Sequence, residues 1–434
     1  MSERTFEQSM ELYRRAIEMI PGGSQTNSKR PTAYAPGAYP VYAQNAEGAR
    51  VQDVDGNWYI DYVLGLGPIT LGYCYPEVDE AVREQLEKGI IYGMLSPLEV
   101  EVAESVREMV PCAEMVRFLK GGAEVTTAAA RIARKYTGRE VILNSGYRGW
   151  ADGWAAQSNG MEGGVPDCIG SVVKSFPRND LDALRALLEE HAGNVAMVSI
   201  DPATGGARVP DGYLQGMRDL CDEHDVLLMY DEIVTGFRMA AGGGQEYFGV
   251  TPDLACFAKG IANGMPLGVV CGRGEVMQTA IDDVIISVTY GGEALSLAAG
   301  NAAMRVIREE PVIDTIWDTG ARLMKGFEEL GEKHGVPLHC HGYEPMSSQT
   351  IDYEDRTLSR DCWTLLLQEM AQRGVTLRRG GLLFITYSHG DAEVEETLEA
   401  LDGTLAVIAE AVDEGTVQDR LKVEEVKESF RSFT

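Results

Sequence analysis

The chain is short of positive charge. Its 434 residues contain 38 Lys and Arg against 67 Asp and Glu, which gives a formal net charge of -29 at pH 7. Proteins bind nucleic acids and anionic membranes through clustered basic side chains. We therefore expect neither as a partner, and we interpret the acid excess as a solvated surface.

Three further features are missing. No apolar run reaches the length that spans a membrane, and residues 1–7 lack the basic start and apolar stretch of a signal peptide. The eight cysteines are scattered without the spacing of metal ligands. These absences predict reduced thiols, no metal site and a cytoplasmic location.

What the sequence does have is a repeated alternation of short apolar runs and helical stretches from about residue 98 onward. Most of the runs are continuously apolar, which is typical of a parallel sheet covered on both faces. The helical stretches between them favour right-handed crossovers. The predicted strands are residues 115–119, 141–143, 195–200, 226–230, 254–258, 267–271 and 284–288, and the predicted helices include residues 126–136, 181–191 and 214–224.

The pattern before and after this region is different. Residues 1–30 predict an amphipathic helix that ends at Pro21, and Asp55-Gly56 predicts a hairpin turn. We expect an α/β fold of two domains. Residues 66–310 form the large, mostly parallel one, and a small α+β domain combines an N-terminal segment, residues 1–65, with residues 311–434.

A lysine and an aspartate mark the ends of two predicted strands. Lys259 follows Cys256-Phe257-Ala258 and precedes a glycine, while Asp231 follows five apolar residues. Pyridoxal phosphate (PLP) needs a lysine for its Schiff base and an acid that keeps its pyridine nitrogen protonated. The alternatives are a surface lysine on a turn and an aspartate that caps a helix.

Three other segments fit the same cofactor. Gly121-Gly122-Ala123-Glu124 joins a strand to a helix, and the first N–H groups of such a helix bind a phosphate. Tyr147 lies between glycines where a ring could stack on a cofactor, although stacked aromatics are as often part of a core. Thr289 offers a hydroxyl for a second phosphate contact, or simply ends a strand.

In this order and spacing, the chain resembles the class III, fold type I, PLP-dependent aminotransferases, in particular the branch with glutamate-1-semialdehyde 2,1-aminomutase. Nearly the whole chain is similar, including residues 20–23, 54–62, 136–139, 231–238 and 247–254 and the Lys259 segment. The resemblance implies a homodimer with shared active sites. It assigns the Schiff base to Lys259, the pyridine nitrogen to Asp231, ring packing to Ile233 and Tyr147, the phosphate to Gly122 and Ala123, and the partner subunit's phosphate to Thr289.

The chain departs from the family pattern at the site. Gly121 and Ala123 stand where the family usually has Ser and Thr, and Arg148 stands where it has His. Arg148 is a candidate for binding an anionic substrate group, or it pairs with an acidic neighbour. The Arg378-Arg379 pair is a second candidate for holding a carboxylate, with solvated arginines as the alternative.

The leading hypothesis is an aminotransferase that moves an amino group from an amino acid or amine to a keto or aldehyde acceptor through Lys259. An intramolecular aminomutase, a PLP-dependent epimerase and a non-catalytic protein of the same fold remain as alternatives. The identity of donor and acceptor is open.

Overall fold

The computed structural model describes residues 3–156, 161–203, 206–281 and 284–423. In these ranges the strands are β1 Ala43–Glu47, β2 Arg50–Asp53, β3 Trp58–Asp61, β4 Met115–Leu119, β5 Val141–Ser145, β6 Val173–Ser175, β7 Val195–Ile200, β8 Leu227–Asp231, β9 Leu254–Phe257, β10 Gly268–Gly272, β11 Leu338–Tyr343, β12 Met346–Ile351, β13 Val375–Thr376 and β14 Leu382–Phe384.

The same ranges contain helices of very different length. They are α1 Glu7–Met19, α2 Pro76–Lys88, α3 Pro97–Met109, α4 Gly122–Thr137, α5 Asp152–Ala155, α6 Leu181–Glu190, α7 Tyr213–Glu223, α8 Gly244–Phe248, α9 Gly274–Met277, α10 Ala294–Glu309, α11 Val312–His334, α12 Arg356–Gln372 and α13 Asp391–Asp413. No helix in the described ranges is both long enough and apolar enough to cross a membrane.

A seven-stranded sheet forms the centre, in the order β4-β10-β9-β8-β7-β5-β6. All its neighbouring strands pair in parallel except β10, which is antiparallel to both β4 and β9. Alternate residues of β8 enter different cores: Met229 packs with α4, and Leu228 with α6 and α7. Both faces are therefore covered, which explains why these strands are continuously apolar.

Two smaller sheets flank this core. One has the order β1-β2-β3-β13 and the other β11-β12-β14. Because β13 pairs in parallel with β3, residues from the two ends of the chain share a sheet, and Tyr59 and Ile60 pack with Leu366 and Leu401 in one core. This pairing is compatible with a small domain made from both termini; its boundaries at residues 65 and 310 stay a prediction.

Most predicted elements are present within a residue or a few of their expected bounds. The hairpin turn is confirmed between antiparallel β2 and β3, where Gly56 has a φ of 92° that favours glycine. The predicted strand at 284–288 is wrong, because this segment has no strand partner. Its Ile285 and Ile286 carbonyls instead accept hydrogen bonds from Arg131 and Arg117. No pattern in the sequence predicted the short strand β6.

Candidate active site

The carboxyl ends of five strands meet at one edge of the large sheet. Since β10 is antiparallel to both of its neighbours, β4 runs in the same direction as β9, β8, β7 and β5. Ligands in open α/β sheets bind outside these carboxyl ends. The residues at the ends of the strands or just after them are therefore brought together there: Lys120, Tyr147, Asp201, Asp231 and Lys259.

A cavity of about 1350 Å³ lies at this edge. Its lining includes seven of the predicted site residues, Gly122, Ala123, Tyr147, Arg148, Asp231, Ile233 and Lys259. Thr289 does not line it, although Ser287 and Val288 do, and Thr289 is exposed on the surface of the single chain. The structure thus gathers every predicted site residue except Thr289 around one cavity.

Asp231 is the last residue of β8 and is buried. Its Oδ1 accepts a hydrogen bond of 3.1 Å from the Ile233 N–H, and its Oδ2 lies 3.6 Å from Arg148 Nη1. Burial raises the pKa of Asp231 above its ordinary value, while the Arg148 charge acts against that rise. The carboxyl group is thus a buried acid with a cation beside it.

Arg148 reaches this position from the loop after β5. Its side chain is fully buried, and its donors bond to Ser199 Oγ at 2.7 Å and to the carbonyls of Tyr147 and Ser145 at 2.7 and 2.5 Å. Burial lowers the pKa of Arg148, and Asp231 opposes that effect. Of the two roles that the sequence left open, these contacts favour the pairing with an acidic neighbour over substrate binding.

Lys259 lies two residues beyond β9, in a conformation that side chains seldom adopt. Its φ is 47°, in the left-handed region, and the residue is half-buried at the cavity wall. A Cβ at the next position, Gly260, would stand 2.7 Å from Thr70 Oγ1. The glycine therefore leaves room for Thr70 to pack against the backbone immediately after the lysine.

The glycine turn after β4 forms the start of α4. The Glu124 carboxylate accepts the N–H groups of Lys120 and Gly121 at 2.9 and 3.0 Å, so Gly122 and Ala123 supply the first helical N–H groups at the cavity. A Cβ at Gly122 would stand only 2.8 Å from Ile233 Cδ1. Glycine is therefore needed for Ile233 to pack against this turn.

Lys120, beside the turn, is engaged elsewhere. Its ammonium group donates to Glu293 Oε1 at 2.7 Å, and Glu293 also caps the start of α10. The sequence left open whether Lys120 adds charge for a phosphate or sits at the rim. The structure shows that its charge is shared with a carboxylate.

The sequence did not identify Asp201 and Arg178 as residues of the cavity wall. It also did not distinguish Arg378 from Arg379. Asp201 directly follows β7, whereas Asp231 is the last residue of β8, and Asp201 pairs with Arg178. The strand-end position of Asp201 was a signal that could have identified it. Arg378 lines the cavity, whereas Arg379 is buried and donates to Thr364.

Residues 33–405 match the family model of class III aminotransferases. The chain belongs to this family. It is 34% identical over 406 residues to a 3-aminobutyryl-CoA aminotransferase of Cloacimonas acidaminovorans, covering 92% of this chain and 97% of the relative. It is 35% identical over 430 residues to a glutamate-1-semialdehyde 2,1-aminomutase of Syntrophobacter fumaroxidans, covering 94% and 99%.

Solved structures agree with this assignment. The FumI protein of Sphingopyxis sp. MTA144, in a PLP internal aldimine form, is 28% identical with a TM-score of 0.88, covering 94% of this chain and 98% of that one. An omega-transaminase from Sphaerobacter thermophilus is 27% identical with a TM-score of 0.83, covering 93% and 98%. The predicted family and the fold type I architecture are confirmed.

Class III aminotransferases use PLP, so the prediction of this cofactor is also confirmed. The residues present fit it. A buried acid, Asp231, suits a protonated ring nitrogen, the Gly122 turn leaves no side chain at a helix start, and Lys259 lines the same cavity.

Proposed function

We propose that this class III enzyme is an intermolecular aminotransferase and that Lys259 is its catalytic lysine. The observation that supports the assignment is that Lys259, Asp231, Tyr147 and the Gly122 turn line one cavity at the carboxyl edge of the sheet. When bound there, PLP supplies an aldehyde that takes up the amino group and a ring that withdraws electrons from the substrate.

Each residue has a defined task in this proposal. Lys259 holds the cofactor between turnovers, and its free amine then moves a proton within the bound substrate and cofactor. Asp231 accepts a hydrogen bond from the ring nitrogen. Ile233 and Tyr147 contact the ring, and the N–H groups of Gly122 and Ala123 bind the phosphate.

Lys259 provides the test of this function. In Lys259→Ala we expect turnover to fall at least about 10³-fold. The visible absorbance of lysine-bound PLP should be lost as well. Lys325→Ala is the matched control, because Lys325 is an exposed lysine. Normal turnover by Lys259→Ala would overturn the assignment.

The alternative is an aminomutase, since several similar proteins carry that name. Incubation with an amine donor and a separate keto acid distinguishes the two. We expect a new amino acid to form from the keto acid. Rearrangement of a single substrate, with no transfer to an added keto acid, would favour the aminomutase instead.

The charge of the cavity wall supports a substrate with an anionic group. Its lining contains six basic side chains, Lys120, Arg131, Arg148, Arg178, Lys259 and Arg378, against the acids Glu124, Asp201 and Asp231. This excess contrasts with the net charge of -29 for the whole chain. We propose Arg378 as the residue that binds a substrate carboxylate, because its guanidinium group lines the same cavity as Lys259 and Asp231.

Arg378→Gln tests this role. We expect KM to rise about tenfold or more for amino acids and to change little for amines without a carboxylate. The control is Arg14→Gln, since Arg14 is exposed on α1. An equal change for both substrate classes would contradict carboxylate binding.

We also propose a homodimer in which Thr289 contacts the phosphate held by the partner subunit. Exposed apolar side chains support it: Met94 and Leu95 are each 85% exposed, and Ile285 and Tyr290 are 77% and 60% exposed. A hydrogen bond of 2.8 Å from the Ala294 N–H to the Ile90 carbonyl joins the segment around Met94 and Leu95 to the segment around Tyr290. Exposed apolar side chains grouped in this way support the proposed dimer interface.

The dimer is tested by light scattering after gel filtration. We expect the wild type to have twice the chain mass and Leu95→Asp to shift towards the monomer. Met19→Asp is the control, because Met19 is 72% exposed but lies on α1. A monomeric wild type would end the proposal of a shared site.

A cytoplasmic location completes the proposal. The eight cysteines are all free thiols, as a reducing compartment favours. Cell fractionation with an antibody against the chain tests this location. Recovery in a secreted or membrane fraction would contradict it.

A further inference from the structure

Two guanidinium and two carboxylate groups meet around Asp231, at the end of the cavity where the proposed site places the PLP ring. We refer to this part as the ring end, and to the part beside the Gly122 turn as the phosphate end. We call Arg148, Asp231, Asp201 and Arg178 the strand-end charge cluster. Arg148 lies 3.6 Å from Asp231 and 3.8 Å from Asp201, and Arg178 pairs with Asp201. A Cβ at Gly146 would stand 2.7 Å from Arg178 Nη2 and 3.1 Å from Asp201 Oδ1, so glycine makes room for the cluster.

Arg148 is fixed within this cluster. The hydroxyl and the two carbonyls that accept its hydrogen bonds belong to the end of β5, the loop after it and β7, and its side chain is fully buried. A side chain held in this way cannot turn to follow a substrate. Its charge therefore stays beside Asp231 throughout the reaction.

The cluster is balanced in charge before any cofactor binds. Burial has the largest effect on the pKa of Asp231 and raises it, and three cations lower it, of which Arg148 acts more strongly than Lys259 and Arg178. The Cys256 thiol is also near, and burial and the Asp231 charge raise its pKa, so it stays neutral. Among these cations, Arg148 thus does most to favour the ionised form of the buried Asp231.

We propose that Arg148 is a positioning residue whose guanidinium group competes with the ring nitrogen of PLP for the Asp231 carboxylate. The inference rests on the proposed PLP site. An acid already paired with a cation attracts the ring proton less than an acid facing only the ring. The nitrogen is therefore less fully protonated here than beside an uncompensated carboxylate, and the ring is a weaker electron acceptor.

Nitrogen NMR of enzyme loaded with PLP that carries ¹⁵N in its ring tests this directly. The chemical shift reports protonation of the ring nitrogen, whatever the activity. We expect the midpoint of its pH titration to rise by about one to three units in Arg148→Gln. Arg148→Lys keeps the positive charge and should remain close to the wild type.

Asp201→Asn gives the opposite test. It leaves Arg148 in place but removes the second carboxylate that faces it, so more of the positive charge acts on Asp231. We expect the titration midpoint to fall below that of the wild type. This variant also carries the test alone if Arg148→Gln fails to fold.

The outcomes separate the inference from the function on which it rests. If wild-type protein binds no PLP, the proposed site itself is wrong. If PLP binds and the nitrogen titrates alike in the wild type and in every folded variant, Arg148 does not share Asp231, and the inference is overturned.

Discussion

The two ends of the cavity are built in different ways. At the ring end, Arg148, Asp231, Asp201 and Arg178 form three ion pairs in a row, Asp231 with Arg148, Arg148 with Asp201 and Asp201 with Arg178. At the phosphate end, Gly121, Gly122 and Ala123 carry no hydroxyl group, and Lys120 pairs with Glu293. In the proposed site, side-chain charge therefore acts on the ring, whereas backbone N–H groups at a helix start act on the phosphate.

This difference predicts unequal effects of mutation. Substitutions at the ring end change the chemistry, because they alter charge next to the reacting system. We expect substitutions at the phosphate end to change cofactor affinity. Because Gly121, Gly122 and Ala123 carry no hydroxyl group, a substitution can also increase that affinity.

The largest effect is expected for Asp231→Asn. The amide cannot balance a protonated ring nitrogen, so we expect turnover to fall by about 10²–10⁴-fold while the protein stays folded. Steady-state kinetics under saturating PLP measure it, with exposed Asp182→Asn as the control. Turnover within a few-fold of the wild type would show that the ring end does not govern the chemistry.

At the phosphate end, Gly122→Val should weaken PLP binding by about 10–100-fold, the equivalent of one charge-assisted hydrogen bond. Its side chain would push Ile233 and fill the turn. Equilibrium dialysis of PLP measures the change. Gly153→Ala is the control, because a Cβ there meets nothing within 4 Å. Unchanged affinity would mean that the phosphate lies elsewhere.

A smaller effect of the opposite sign is expected for Gly121→Ser. A Cβ at Gly121 meets only Glu124 Oε2 at 4.0 Å, so a serine side chain has room there. We expect PLP to bind about tenfold tighter through one added hydrogen bond to a charged group. Gly121→Ala isolates the hydroxyl, and equal affinity in both variants would contradict the account.

The smallest effect concerns the pair of Lys120 and Glu293. Burial alone would raise the pKa of Glu293, but hydrogen bonds from Lys120 and Ser296 lower it below its ordinary value of 4.5. The pair therefore stabilises the fold above that pH and loses its effect as pH falls through the lowered pKa.

Urea unfolding measures this contribution. Glu293→Gln should cost about 1 kcal/mol at pH 7 and progressively less below about pH 4.5. Glu11→Gln, in an exposed pair, is the control and should cost little at either pH. A cost that does not depend on pH would show that the carboxylate charge is not what matters.

Only some features of the ring end could be predicted from the sequence. Lys259 and Asp231 were predictable, because a charged residue directly after a buried strand must lie at the carboxyl edge of a parallel sheet. The direction of the Arg148 side chain was not, since it depends on the left-handed turns at Gly146 and Gly149, with φ of 93° and 118°.

Other features depended on contacts distant in sequence. Arg117 and Arg131 hold residues 284–288 by their carbonyls, which no local pattern signals. The pairing of Arg178 with Asp201 joins two loops whose approach is set by the sheet order. The role of Thr289 involves a second subunit, and therefore stays a prediction.

The proposed function requires that Lys259 holds PLP in this cavity. Borohydride reduction of the PLP-loaded wild type, followed by proteolysis and peptide mass spectrometry, tests it most directly. We expect the reduced cofactor on the peptide that contains Lys259, and none on that peptide in Lys259→Ala. A stoichiometric adduct on another lysine, or no adduct at all, would contradict the account.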